Sequence, residues 1–259
     1  MARDRKKPAT RHRRPLLWPA EGSRWRQTLR MAFGLLLVPV SIALGRTLLR
    51  AATAETNRLT VLSLDAGIFA FLAGAGLFAL AFLLLPRPTT AYIFAHEFTH
   101  AIFAWLHGIK VRNLKIGTDH GSIQIEHPRS LVLLAPYFFP LYTAVAIVLT
   151  ALLLLIWPLQ GMEIATLALI GMTWGFHFCF TITSLLQHQT DLERCGYIFS
   201  YGLIISLNLL VLALGLVAAT PLTLRQFGQL WGADLTETFA TLRDTFVNLH
   251  DYLWSRVSR

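Results

Sequence analysis

The sequence predicts an all-α polytopic membrane protein of about six transmembrane helices, with a small β-hairpin after the helix that carries a His-Glu-x-x-His motif. Three observations carry that class. The 259-residue chain is 54% hydrophobic and only 14% charged, too apolar for one soluble domain. Its apolar residues gather in runs of membrane-crossing length, punctuated by proline, glycine and arginine. One of those runs holds His96-Glu97-Phe98-Thr99-His100, and ionisable groups at membrane depth are expensive and mostly functional.

The formal charge of +9 is a terminal feature. Ten of the 23 Lys and Arg lie in the first 30 residues against two acids, leaving 13 bases and 12 acids elsewhere. Residues 1–30 therefore read as a basic cytoplasmic arm, with Pro8, Pro15 and Pro19 opposing a long helix. Beside an apolar segment such an arm follows the positive-inside bias and meets anionic lipid, rather than nucleic acid.

Residues 31–220 read as the transmembrane domain. The first apolar segment, 31–45, is short and flanked by Arg46 and Arg50, so it reads as a retained signal anchor whose arginines snorkel. Residues 66–85 form an ordinary spanning helix ended by Pro86-Arg87-Pro88. The motif helix covers 89–109. Residues 110–116 and 122–127 then alternate apolar with polar around Thr118-Asp119-His120-Gly121, a hairpin signal. Its edges cannot face lipid, which places it at the interface or against the helices. The fourth helix, 131–157, carries Pro136 and Pro140, which bend it and free carbonyls that neighbours must satisfy. The fifth, 163–186, contains His177; an elbow over 187–196 leads to the sixth, 198–220, with Asn208. With a cytoplasmic N-terminus, six crossings put the C-terminal tail inside and both hairpin and elbow outside.

Residues 221–259 form an amphipathic C-terminal helix. Leu235, Phe239, Leu242, Phe246, Leu249 and Leu253 make a narrow apolar seam suited to packing on the bundle, to a membrane surface or to self-association as a homo-oligomer.

On a helix the two motif histidines, four apart, point the same way and can share a metal ion, with Glu97 beside them as a base. The third ligand is open between His177, at a compatible depth, and Asp191, which reaches that depth only if the elbow folds into the protein and could equally cap a helix or pair with Arg194. His107, His120 and His127 read as interfacial. Cys179 and Cys195 show no ligand or disulfide spacing.

His96-Glu97-Phe98-Thr99-His100-Ala101 with Gly108, the strand pair, the proline-bearing helix and Thr190-Asp191-Leu192 resemble the core of the site-2 protease family of intramembrane zinc metallopeptidases. Ala135-Pro136-Tyr137-Phe138-Phe139-Pro140, Gly175-Phe176-His177 and Gly196-Tyr197-Ile198-Phe199-Ser200 resemble more closely an uncharacterised bacterial branch grouped with it. The resemblance covers residues 92–208, within a protease-like core of about 89–220. It implies a multi-pass protein of the bacterial inner membrane that cleaves peptide bonds of membrane-spanning substrates. It also implies Zn2+ held by His96, His100 and Asp191, with Glu97 as general base. Leu192 stands where the family's usual Leu-Asp-Gly has glycine, so His177 stays a rival ligand. The alternatives from other classes are a metal-binding or metal-transporting membrane protein, although no internal repeat of transporter type is present, and a catalytically inactive protease-like scaffold.

Overall fold

The computed structural model describes residues 24–58, 64–118, 120–157 and 161–258. Most of the basic arm, residues 1–23, lies outside them, as do Asp119 of the hairpin turn and the turn at Pro158.

The elements in chain order are α1 (Arg24–Arg58), α2 (Leu64–Leu84), α3 (Thr89–Leu106), β1 (Val111–Ile116), β2 (Gly121–Ile125), α4 (Ser130–Leu134), a 3-10 turn (Ala135–Tyr137), α5 (Leu141–Ile156), α6 (Met162–Leu185), α7 (Thr190–Cys195), α8 (Tyr197–Ala219) and α9 (Leu224–Val257). The first apolar segment is not short: α1 takes in the last arginines of the arm, runs through Pro39 and is apolar enough to span over Trp25–Thr53. A proline removes one backbone bond and arginines near helix ends snorkel, so neither ends the helix where the chain continues apolar.

Four described helices, α1, α2, α6 and α8, are long and apolar enough to cross a membrane, and the α4–α5 pair, bent by 74°, makes a fifth if it counts as one span. The motif helix α3 is not among them, so the described residues hold four or five candidate crossings and do not confirm the six expected from sequence. Its two histidines and Glu97 dilute the hydropathy of an already short helix.

Helix directions follow from the contacts. Gly34, Leu37 and Ser41 of α1 meet Phe199, Gly202 and Ser206 of α8 in that order, so the two run parallel. Phe71, Ala75, Phe78 and Phe82 of α2 meet Gly171, Gly175, Phe176 and Phe180 of α6, again parallel. Both pairs close backbone to backbone: a Cβ on Gly171 would fall 2.0 Å from the Phe71 carbonyl oxygen. Small residues supply this approach where lipid offers no hydrophobic drive between helices. Because α2 and α6 point the same way, the whole stretch from α3 to α5 makes one net return between them. α8 runs against α6, as Tyr201 on Leu185 and Asn208 on His177 show. The N-terminal end of α1 therefore sits beside the elbow, where Arg30 Nη1 donates to the Arg194 carbonyl at 3.4 Å. The elbow lies at the end of the bundle where α1 begins, not at the opposite one.

The expected hairpin is present. β1 and β2 pair antiparallel, with an irregularity between Arg112 and Lys115 at which Asn113 takes φ 51°, a left-handed conformation that Asn tolerates better than most residues. The hairpin lies back along α3: Thr89 Oγ1 reaches the Thr118 carbonyl at 3.5 Å. A Cβ on Gly121 would meet Ile93 and Glu97 side-chain atoms within 3.0 Å, so glycine lets β2 rest on the motif face.

Candidate metal centre

The site is assembled from three separate pieces of chain. α3 supplies His96 and His100 one turn apart, their rings 4.9 Å between centroids. α7 supplies Asp191. Nε2 of His100 and of His96 lie 3.4 and 3.8 Å from Asp191 Oδ2, and one ligand atom from each of the three residues falls within 4.8 Å of the others. Donors about 3.4 Å apart are what a tetrahedral ion with roughly 2.1 Å bonds requires; the His100–Asp191 separation matches that and the others are wider, so the group could hold a metal ion. All three side chains are shielded, from 5% exposed at His100 to 16% at Asp191.

Asp191 reaches the motif because the elbow folds inward. Leu192 and Cys195 of α7 are buried with Leu133, Leu134 and Tyr137 in one apolar cluster, which anchors the short helix under α4. Gly196, at φ 91°, then turns the chain from α7 into α8 through backbone space that side chains disfavour.

The outer nitrogens of both histidines are held as metal ligands require. His100 Nδ1 donates to the Val132 carbonyl at 2.8 Å, leaving the Nε2 lone pair aimed at Asp191. That carbonyl is available for a local reason: its helical partner would be the N–H of residue 136, which is a proline. The bend expected from Pro136 and Pro140 is thus used twice, for the Asn208 side chain donates to the Tyr137 carbonyl at 2.9 Å. His96 Nδ1 meets the Tyr92 hydroxyl at 3.2 Å, and Tyr92 in turn bonds Ser184 of α6. Tyr137, 1% exposed, directs its hydroxyl to Asp191 Oδ2 at 3.4 Å.

Pro136→Ala is expected to restore the competing N–H, loosen His100 and lower the affinity for a divalent metal ion by roughly 10–100-fold, the usual cost of an outer-sphere partner. Competition titration with a chromogenic chelator measures it.

The structure brings together His96, His100 and Asp191, with Glu97 in electrostatic reach of His100 and Asp191. His177 stays outside that group. Its Nε2 points to Asn208 Oδ1 at 3.3 Å, and it shares with His96, Tyr92 and Tyr142 the wall of a cavity of about 20 Å³, room for one water. His107 bonds its own helix at the Phe103 carbonyl, His120 and His127 are exposed, and both cysteines are free thiols that are not members of the group. The reading from sequence passed over Tyr92, Tyr137, Gly121 and the Val132 carbonyl. Two of these left a trace: Tyr92 precedes His96 by one helical turn, and Val132 precedes Pro136 by the same interval.

No family model, no curated protein and no solved structure matches the chain.

Proposed function

We propose that this protein is a multi-pass intramembrane zinc metallopeptidase that cleaves membrane-spanning substrates. The observation that carries the reading is the convergence of His96, His100 and Asp191 inside an apolar helical bundle, next to a glutamate on the same helix. Two neutral imidazoles, a carboxylate and a position left for water are the donor set of catalytic zinc rather than of a closed structural site. A zinc ion bound there supplies Lewis-acid polarisation of a water and of the scissile carbonyl.

The chain's own residues do the rest. Glu97 accepts the proton of the attacking water and passes it to the leaving amine. His100 and His96 keep their Nε2 atoms inward through Val132 and Tyr92. A helical substrate hides its peptide bonds and has to be unwound, and the hairpin resting on Glu97 offers an open strand edge that can hold it extended. The bacterial inner membrane is the compartment this reading implies. The arm's Lys and Arg favour a cytoplasmic N-terminus against anionic lipid. The elbow that carries Asp191 lies at the end where α1 begins, which in this reading is the cytoplasmic one.

The test is purified protein in proteoliposomes with a panel of single-span peptides carrying helix-breaking residues. Cleavage products seen by mass spectrometry, abolished by a zinc chelator and restored by zinc, are the expected result. Bound zinc without cleavage of any peptide would instead mark an inactive scaffold, and metal uptake without cleavage a transporter.

A further inference from the structure

His177 is buried on α6 and stays outside the metal cluster, yet it begins a hydrogen-bonded chain that ends there. Its partner on α8 fixes the direction of that chain. Asn208 Nδ2 donates to the Tyr137 carbonyl and to the Ile204 carbonyl, each at 2.9 Å. A flipped amide would set its oxygen against both carbonyls, so Oδ1 is the end turned to His177. It follows that His177 Nε2 carries a hydrogen and donates across 3.3 Å to Asn208 Oδ1. In the other direction the chain enters the 3-10 turn. The Tyr137 carbonyl cannot take a 3-10 partner three residues on, because residue 140 is a proline. Asn208 therefore holds the Tyr137 backbone from outside the turn.

Tyr137 touches two of the three candidate ligands. Its hydroxyl lies 3.4 Å from Asp191 Oδ2 and 3.3 Å from Gln189 Oε1, and its ring stands edge-on to that of His96 with 5.2 Å between centroids. A hydroxyl has one hydrogen to give, so it serves one of the two oxygens at a time. Both distances exceed the roughly 2.8 Å usual for such bonds, so a small displacement of the turn decides which oxygen receives it. The side chain is only 1% exposed and packed among Leu133, Leu134, Leu192 and Ile204. In a close-packed interior it follows its backbone rather than turning by itself. Whatever fixes the Tyr137 carbonyl thus fixes the hydroxyl beside Asp191.

We propose that His177 and Asn208 are positioning residues of the metal centre: they hold the Tyr137 backbone so that its hydroxyl serves Asp191 rather than Gln189. The proposal rests on the metal-centre reading and needs no peptide cleavage. No donor atom is lost with His177, so one ion per chain is retained and the affinity is what changes. The test is Co2+ bound to the full chain in detergent, followed by its visible absorption and by chelator competition. His177→Leu is expected to weaken Co2+ binding roughly 10-fold, the low end of what an outer-sphere partner costs, and to move the cobalt band. His177→Gln keeps an N–H toward Asn208 and should recover both. In a Tyr137→Phe background, where the hydroxyl is already gone, His177→Leu should change neither any further. An equal weakening in both backgrounds is what a structural role alone predicts, and it would overturn the proposal. Asn208→Leu cuts the same link from the other side, is expected to match His177→Leu, and carries the test if that variant fails to fold. Unaltered affinity and absorption in the folded single variants would also overturn it. Wild-type protein that holds no Co2+ would overturn the metal centre and this proposal together, whereas cobalt bound without cleavage of any peptide overturns the protease reading alone.

Discussion

Replacing Asp191 by alanine is expected to strip zinc from the purified protein, whereas replacing His177 by alanine leaves about one ion per chain. The two residues are equally plausible third ligands on the linear chain and quite unequal in space. Asp191 Oδ2 lies within 4 Å of both histidine Nε2 atoms and accepts from Tyr137. Its loss removes a charged donor and leaves two neutral imidazoles to hold a dication. Affinity should fall by more than the roughly 10–100-fold that a merely orienting partner costs. His177 spends its Nε2 on Asn208. Its removal leaves Asn208 Oδ1 short of a partner in the interior, a penalty of about 1–3 kcal/mol, visible as lower thermal stability in detergent and not as lost metal. Inductively coupled plasma mass spectrometry on both variants decides the matter. Zinc retained by Asp191→Ala and lost by His177→Ala would remove the basis of the site described above.

Glu97→Gln is expected to keep zinc and lose cleavage. Glutamine has nearly the volume of glutamate, so the contact with Gly121 of β2 persists, yet the amide cannot take a proton from water. General-base catalysis is worth about 10²–10⁴-fold in rate, which here separates a countable product from none. Unchanged cleavage with zinc in place would mean that the base is another group. A variant that loses zinc as well would show Glu97 acting in metal binding rather than in proton transfer.

The motif on α3, the prolines of the fourth apolar segment, the hairpin and the amphipathic tail were legible because each is written in neighbouring residues: a spacing of four, a missing N–H, an alternation, a heptad. The number of crossings was not. Apolar length makes 89–109 a candidate span, but whether such a segment crosses or folds back depends on the hairpin packed along it and on the directions of α2 and α6, which are set by contacts between residues about a hundred positions apart. The length of α1 was hidden for a different reason, since charge near a helix end marks a membrane boundary more reliably than a helix boundary.

The sequence by itself determined that the chain is an apolar helical protein and that two histidines and a glutamate share one helical turn, because helix periodicity and hydrophobic runs are local properties. Only the tertiary structure decided that Asp191 and not His177 joins the two histidines, that a proline-freed carbonyl orients His100, and that α9 begins at the end of the bundle opposite the start of α1. Each of these depends on which distant segment packs against which. That is settled by backbone approach at glycines such as Gly171 and by burial of residues such as Leu192, neither of which has a signature within a single stretch of chain.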